Sequence, residues 1–239
     1  MHKLLRASLL VFALTAPAQM TVAQAPMPIE PAQASYVTSA QVDVMKLLPP
    51  PPALQSDEQK RDLDELLAIQ KVRTTAQEQR AVADATAGTF GFADVLGPKF
   101  TAAALPKLAL LMDKVRGDGA ALENSGKDYW KRPRPFETSK DVQAVGNLPK
   151  GSSYPSGSST AGYLTAIVLA NMLPEKAAVL LVRGRETGFN RLVLGVHYPT
   201  DVEGGRILAT AVATSLFQNP TFLKDFAEAK AELRHALGL

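Results

Sequence analysis

Cysteine is absent from the 239-residue sequence, and basic residues never occur in runs of five or six. The lack of cysteine excludes disulfide bonds, thiolate catalysis and cysteine-ligated metal sites, so packing must stabilise the fold. The formal net charge is only +3, and two of the positive residues, Lys3 and Arg6, lie in a segment that we expect to be removed. Such a charge is too small for a nucleic-acid partner.

Histidine is nearly absent as well. Of the three histidines, His2 lies in the N-terminal segment and His235 in the amphipathic C-terminal segment 222–239, which leaves His197 in the body of the chain. The carboxylates form no cluster at a recognisable metal-ligand spacing. The sequence therefore predicts no bound metal and no other cofactor.

Strand signals and membrane-length apolar runs are also lacking. Residues 160–173, 177–182 and 207–217 are almost entirely apolar, which is typical of helices buried in a bundle, but each is shorter than a membrane span. A composition of 46% hydrophobic and 21% charged residues suits one globular domain. We predict an all-α fold, a single-domain helical bundle with no membrane partner once the N-terminal segment is removed.

Residues 1–23 are predicted to be a secretory signal peptide. A basic start precedes an apolar run from about Ala7 to Ala16, and small residues follow it. Cleavage after Ala23 is preferred over cleavage after Ala18 or Ala25. The mature protein is therefore expected in the periplasm, with a charge of about +1.

A Pro-rich segment, residues 24–55, follows and ends in the run Pro49–Pro52. Consecutive prolines cannot be helical, so this segment is predicted to be an extended arm lying on the body. Residues 56–239 form the predicted helical domain. Two capping boxes are expected to open its first helices: Ser56 with Gln59, and Thr75 with Glu78.

A long helix is predicted from Pro106 toward Trp130, since apolar residues recur there at helical spacing. Gly117 and Gly119 weaken this helix and allow a break between them.

The surroundings of His197 suggest chemistry rather than a structural role. Arg191 precedes it by six residues and Asp201 follows it by four, which is one helical turn. If a helix begins at about Tyr198 or Pro199, Asp201 can hold one ring nitrogen protonated and leave the other free to attack.

Two further clusters could bind an oxyanion. Residues 127–135 carry four basic side chains beside prolines, and residues 152–160 form a small-residue turn before an apolar segment. Either cluster alone is compatible with a solvated turn or a plain helix cap. Together with His197 they supply cations, backbone N–H groups and an imidazole, which are the parts that phosphoryl transfer requires.

The order and spacing of these residues resemble the signature of the type 2 phosphatidic acid phosphatase and vanadium haloperoxidase superfamily. The matching residues are Lys127-x6-Arg134-Pro135, Pro155-Ser156-Gly157 and Arg191-x5-His197-x3-Asp201. Within that superfamily, the leader, the segment Leu47–Pro52 and the stretch Lys127–Pro135 look like class A bacterial non-specific acid phosphatases.

The resemblance implies an exported phosphatase that acts on small phosphomonoesters and releases inorganic phosphate. It implies that His197 forms a phosphohistidine and that Asp201 orients it. The residues implied to bind phosphate are Lys127, Arg134, Ser156, Gly157, Ser158 and Arg191. A homodimer is also compatible with the family.

Two positions depart from the family pattern. Asn190 replaces a serine before the second arginine, which should change little. Ser158 replaces the histidine that protonates the leaving oxygen, and a hydroxyl is too weak an acid for that task. Either another carboxyl or water supplies the proton, or the enzyme favours good leaving groups, or the site only binds phosphate; the second alternative is our hypothesis.

Other functions remain open from the sequence alone. A vanadate-dependent haloperoxidase would use the same oxyanion cradle, and a phosphate-binding protein could descend from an enzyme. The short length argues against the haloperoxidase, and the retained His197 and Asp201 argue against a pure binder. A membrane-spanning lipid phosphatase would need long apolar segments, and we find none beyond the predicted signal peptide.

Overall fold

The computed structural model describes residues 35–239, and the predicted signal peptide and the first part of the arm lie outside them. The described residues form ten α-helices and no strand, which confirms the predicted all-α fold. The helices are α1 (Val44–Leu47), α2 (Asp57–Val72), α3 (Thr75–Ala87), α4 (Ala93–Leu96), α5 (Pro106–Trp130), α6 (Pro135–Thr138), α7 (Gly157–Met172), α8 (Ala177–Val193), α9 (Pro199–Leu216) and α10 (Pro220–Leu237).

One of the two predicted helix caps is displaced. Ser56 caps α2, since its hydroxyl accepts a hydrogen bond from the Gln59 amide at 3.1 Å. Gln59 does not complete the predicted box, because its Oε1 accepts from Arg132 at 2.6 Å instead. The prediction for α3 is wrong by one residue, because Thr74 and Gln77 form the reciprocal capping box. Glu78 instead pairs with Arg73 at 2.6 Å, so its carboxylate is not available for the cap.

Helix α5 runs unbroken through both glycines. Gly119 is buried against α7, where an added Cβ would lie 3.2 Å from the Leu164 side chain. The absence of a side chain therefore lets the two helices approach closely, and this packing offsets the low helix propensity of glycine.

Helix α7 forms the centre of the core. Most of its apolar side chains are buried, among them Leu164, Val168 and Leu169, and it packs against α5, α8 and α9. The described part of the arm contributes Tyr36, Val37, Val42, Val44 and Leu48 to the same core. Within residues 35–239, no helix has both the length and the apolar character needed to cross a bilayer.

The start of α9 lies directly on the start of α7. The Ser156 amide donates to the Asp201 carbonyl at 2.9 Å, and a Cβ on Gly205 would overlap the Ser156 carbonyl oxygen. Because only a glycine permits this approach, the turn that precedes α7 and the histidine that precedes α9 are held side by side.

Candidate active site

A cavity of about 480 Å³ opens between α5, α7 and the segment that joins α8 to α9. Most of the residues predicted from the sequence line it: Lys127, Arg134, Gly157, Ser158, Arg191 and His197. The side chain of Ser156 does not line it. That hydroxyl is fully buried and caps α7 by accepting from the Ser159 amide at 3.4 Å, so its direct contribution to phosphate binding is not supported by its position.

His197 is buried and held at both ring nitrogens. Its Nδ1 lies 3.3 Å from Oδ2 of Asp201, and its Nε2 lies 3.3 Å from Nη1 of Arg134. A guanidinium can only donate, so a hydrogen bond from Arg134 requires a lone pair on Nε2 and places the ring proton on Nδ1. Burial, aided by the charges of Arg134 and Arg191, lowers the pKa of His197 to about 4 against the opposing effect of Asp201. The imidazole is therefore neutral above about pH 4, with Nε2 toward the cavity.

Asp201 is fully buried at the third position of α9. Besides facing His197, its Oδ2 accepts from the Tyr198 amide at 2.8 Å, and its Oδ1 accepts from Arg132 at 2.6 Å. Burial opposes its ionisation, but the hydrogen bond with His197 and the charge of Arg132 lower its pKa overall. A charged Asp201 thus fixes the orientation of the ring.

Arg132 is a site residue that the sequence analysis did not single out. Only 3% exposed, it binds Asp201 on one side and Asp62 on the other, at 2.6 and 2.7 Å, and its guanidinium stacks over the Tyr198 ring. The sequence places it in the basic stretch 127–135 but gives no sign that it points away from the cavity. It contacts Asp201 on the side away from the cavity and so supports the pair formed by His197 and Asp201.

Arg134 is fixed by backbone carbonyl groups rather than by acids. Its guanidinium donates to the carbonyl oxygens of Val196, Gly151 and Ser152 at 2.9 to 3.1 Å. Burial lowers its pKa. Such neutral acceptors orient the guanidinium while leaving its positive charge available to an anion in the cavity.

Arg191, by contrast, has no carboxylate partner in the described part of the chain. It is 8% exposed, and its Nε is buried without any hydrogen-bond acceptor. Burial and, to a smaller extent, the nearby charge of Arg134 together lower its pKa to about 10. Two buried guanidinium groups that repel each other beside an imidazole form a site that an anion would stabilise. The adjacent Asn190 turns away and donates to Asp84 at 2.9 Å.

The start of α7 completes the cavity. Gly157 and Ser158 are the first residues of this helix, whose free N–H groups and dipole favour negative charge. Glu123 faces them from α5 and pairs with Lys127, one helical turn further along. The sequence analysis did not identify Glu123, although its spacing of four residues from Lys127 was a detectable signal.

No group of three or more histidine, aspartate or glutamate side chains within residues 35–239 is arranged to hold a metal ion. The cavity contains cations, one imidazole and two separate carboxylates, Asp113 and Glu123. An oxyanion is therefore the ligand that its chemistry favours.

Comparisons with known proteins identify the family of this chain. Residues 116–224 match the model of the PAP2 superfamily. A non-specific acid phosphatase of Providencia stuartii is 31% identical over 207 residues, which cover 82% of this chain and 84% of that protein. An acid phosphatase of Zymomonas mobilis is 31% identical over 81% of this chain and 76% of its own length.

A non-specific acid phosphatase of Salmonella typhimurium is 29% identical over 78% of each chain. Each of these alignments covers about four fifths of the sequence, which is far more than the motif residues. The chain belongs to the PAP2 superfamily and, within it, to the non-specific acid phosphatases.

Proposed function

We propose that the protein is a periplasmic phosphatase that hydrolyses a broad range of phosphomonoesters through a phosphohistidine at Nε2 of His197, without a metal ion. The membership of its family supports the phosphatase activity. The mechanism and the location are our inference.

The observation that carries the proposal is the pair of buried guanidinium groups beside Nε2. Arg134 lies 3.3 Å from this nitrogen, and Arg191 is close enough to depress its pKa, yet Arg191 lacks an acid partner among the described residues. A phosphate group bound by both would present its phosphorus to the lone pair of Nε2.

The reaction then has two steps. Nε2 attacks phosphorus, the ester P–O bond breaks, and its electron pair leaves with the alcohol oxygen. Water next attacks the phosphohistidine, which releases inorganic phosphate and restores the imidazole. Charge on the equatorial oxygens is stabilised by Lys127, Arg134 and Arg191, and charge on the ring by Asp201.

Hydrolysis of p-nitrophenyl phosphate by the purified chain is the direct test. We expect turnover at mildly acidic pH that excess chelator leaves unchanged, because every charge that contacts the substrate belongs to a side chain. Turnover that disappears with chelator and returns with a divalent cation would contradict the metal-free mechanism. Halide oxidation with added vanadate in place of hydrolysis would identify a haloperoxidase instead.

A preference for good leaving groups is a second prediction, and it follows from Ser158. Near neutral pH, aryl phosphates should be hydrolysed much faster than alkyl phosphates, since general-acid assistance is worth roughly 10² to 10⁴ in rate and a phenoxide needs it least. Ser158→His should narrow the difference in kcat/KM, whereas Ser158→Asn, which adds bulk without an acidic proton, should not. Equal rates on both substrate classes near neutral pH in the unaltered protein would refute this prediction.

A further inference from the structure

Glu123 occupies the part of the cavity next to position 158. Its side chain is 11% exposed, and its carboxyl group lies so close to the first residue of α7 that a Cβ on Gly157 would overlap all three of its terminal atoms. Asp113, the other carboxylate that lines the cavity within residues 35–239, is exposed. A buried acid therefore faces the helix start that carries Ser158.

Positive groups surround this carboxyl group. Lys127 on the same helix forms an ion pair with it, and Arg134 lies near enough to act on its charge. The remaining charged or titratable groups that line the cavity are Arg191, His197, Asp113 and Arg116. Burial nevertheless raises the pKa of Glu123, and the charges of Lys127 and Arg134 reduce this rise without cancelling it.

Binding of a substrate would shift the protonation equilibrium of Glu123 toward the neutral carboxylic acid. A phosphate group bound by Lys127 and the start of α7 takes the ammonium group away from Glu123 and places negative oxygens beside the carboxylate. Both changes favour the protonated form of a buried carboxyl group. Glu123 would thus acquire a proton as the ester binds.

We infer that Glu123 donates the proton to the leaving oxygen, in place of the histidine that the family carries at position 158. This inference rests on the proposed phosphohistidine mechanism. As the ester P–O bond breaks, its electron pair stays on the alcohol oxygen, which takes the proton of Glu123 and leaves as the alcohol. In the second step, the water that attacks the phosphohistidine returns a proton to the Glu123 carboxylate.

The inference makes the leaving-group preference depend on pH. At acidic pH the protonated Glu123 assists departure of an alkoxide, so the difference between aryl and alkyl phosphates is small. As the pH rises and Glu123 loses its proton, hydrolysis of alkyl phosphates falls first. The preference for aryl phosphates that we predict near neutral pH is therefore the behaviour of the enzyme once Glu123 has lost its proton.

The test compares kcat/KM for p-nitrophenyl phosphate with kcat/KM for a simple alkyl phosphate such as glycerol phosphate. The ratio of the two values is measured from pH 4 to pH 8 in the unaltered protein and in Glu123→Gln. We expect the variant to lose roughly 10²-fold on the alkyl ester at acidic pH and less than about threefold on the aryl ester. Its ratio should be independent of pH, whereas that of the unaltered protein should rise with pH. The double variant Glu123→Gln with Ser158→His should recover the alkyl ester activity.

Asp128→Asn is the matched control, because Asp128 lies on the same helix as Glu123 but is exposed and does not line the cavity. Its ratio should equal that of the unaltered protein. Thermal unfolding of Glu123→Gln, with and without phosphate, checks folding and anion binding. The inference would be overturned if Glu123→Gln lost the same factor in kcat/KM on both substrates, or gained the same factor on both because a carboxylate that repels phosphate had been removed. A ratio that does not change with pH in the unaltered protein would also overturn it. Absence of aryl ester hydrolysis in the unaltered protein would overturn the proposed function itself.

Discussion

Replacement of His197 by alanine is expected to lower kcat for p-nitrophenyl phosphate by roughly 10⁴-fold or more, the scale that follows loss of a covalent nucleophile. Among residues 35–239, His197 is the only histidine that lines the cavity, and its Nε2 faces the guanidinium of Arg134 at 3.3 Å. The other lining residues within residues 35–239 offer no second imidazole to replace it. Steady-state kinetics at a high enzyme concentration, with substrate still in excess, measures the residual rate.

The matched control is His235→Ala, since His235 is exposed in α10 and lies outside the cavity. This variant should keep full activity. Rapid quenching of the unaltered protein with labelled substrate should also capture a phosphoprotein that is stable to alkali and labile to acid, as an N–P bond is. Phosphate release at an undiminished rate by His197→Ala would exclude the proposed mechanism.

The acidic limit of activity follows from the same residue. Burial holds the pKa of His197 at about 4, below its ordinary value, so the attacking lone pair persists in mildly acidic solution. An exposed histidine would lose most of its nucleophilic form below about pH 6.5. Burial of the imidazole thus permits catalysis at the pH where a leaving group is most easily protonated.

Local patterns in the sequence were sufficient for the catalytic pair. The spacing of four residues between His197 and Asp201, followed by a helix that begins at Pro199, places both side chains together through short-range geometry alone. The same is true of the cap at Ser56, which depends on contacts within one helical turn. Such features are fixed by neighbours in the chain, so the sequence predicts them.

Long-range contacts explain what the sequence did not predict. Arg132 and Arg134 are two residues apart, yet one supports Asp201 from behind and the other faces Nε2 of His197. Their orientations depend on Asp62 in α2 and on the carbonyl groups near Gly151, which are distant along the chain. Glu123 likewise acquires its role only when α5 meets the start of α7.

Arg191→Met should have opposite effects on stability and on catalysis, and this is the second large effect that we expect. Arg191 is buried, has no acid partner in residues 35–239, and repels Arg134, so its charge destabilises the empty protein. An unbranched apolar side chain of similar length removes that repulsion. The thermal midpoint without phosphate should therefore stay the same or rise.

Catalysis should fall in the same variant, because the removed guanidinium is the one that an incoming phosphate would pair. Loss of one preorganised donor to a transition-state oxyanion costs roughly 10² to 10³ in rate. We expect that decrease in kcat/KM for p-nitrophenyl phosphate, together with loss of the thermal stabilisation that phosphate gives the unaltered protein.

The control for this prediction is Arg185→Met, which removes the same charge from an exposed position on the same helix. It should change neither the thermal shift with phosphate nor kcat/KM. A lower thermal midpoint for Arg191→Met in the absence of phosphate would mean that Arg191 stabilises the fold, and unchanged kcat/KM would mean that it does not contact the substrate. A stable but inactive variant would instead indicate that the phosphate of the substrate is the partner of the Arg191 charge.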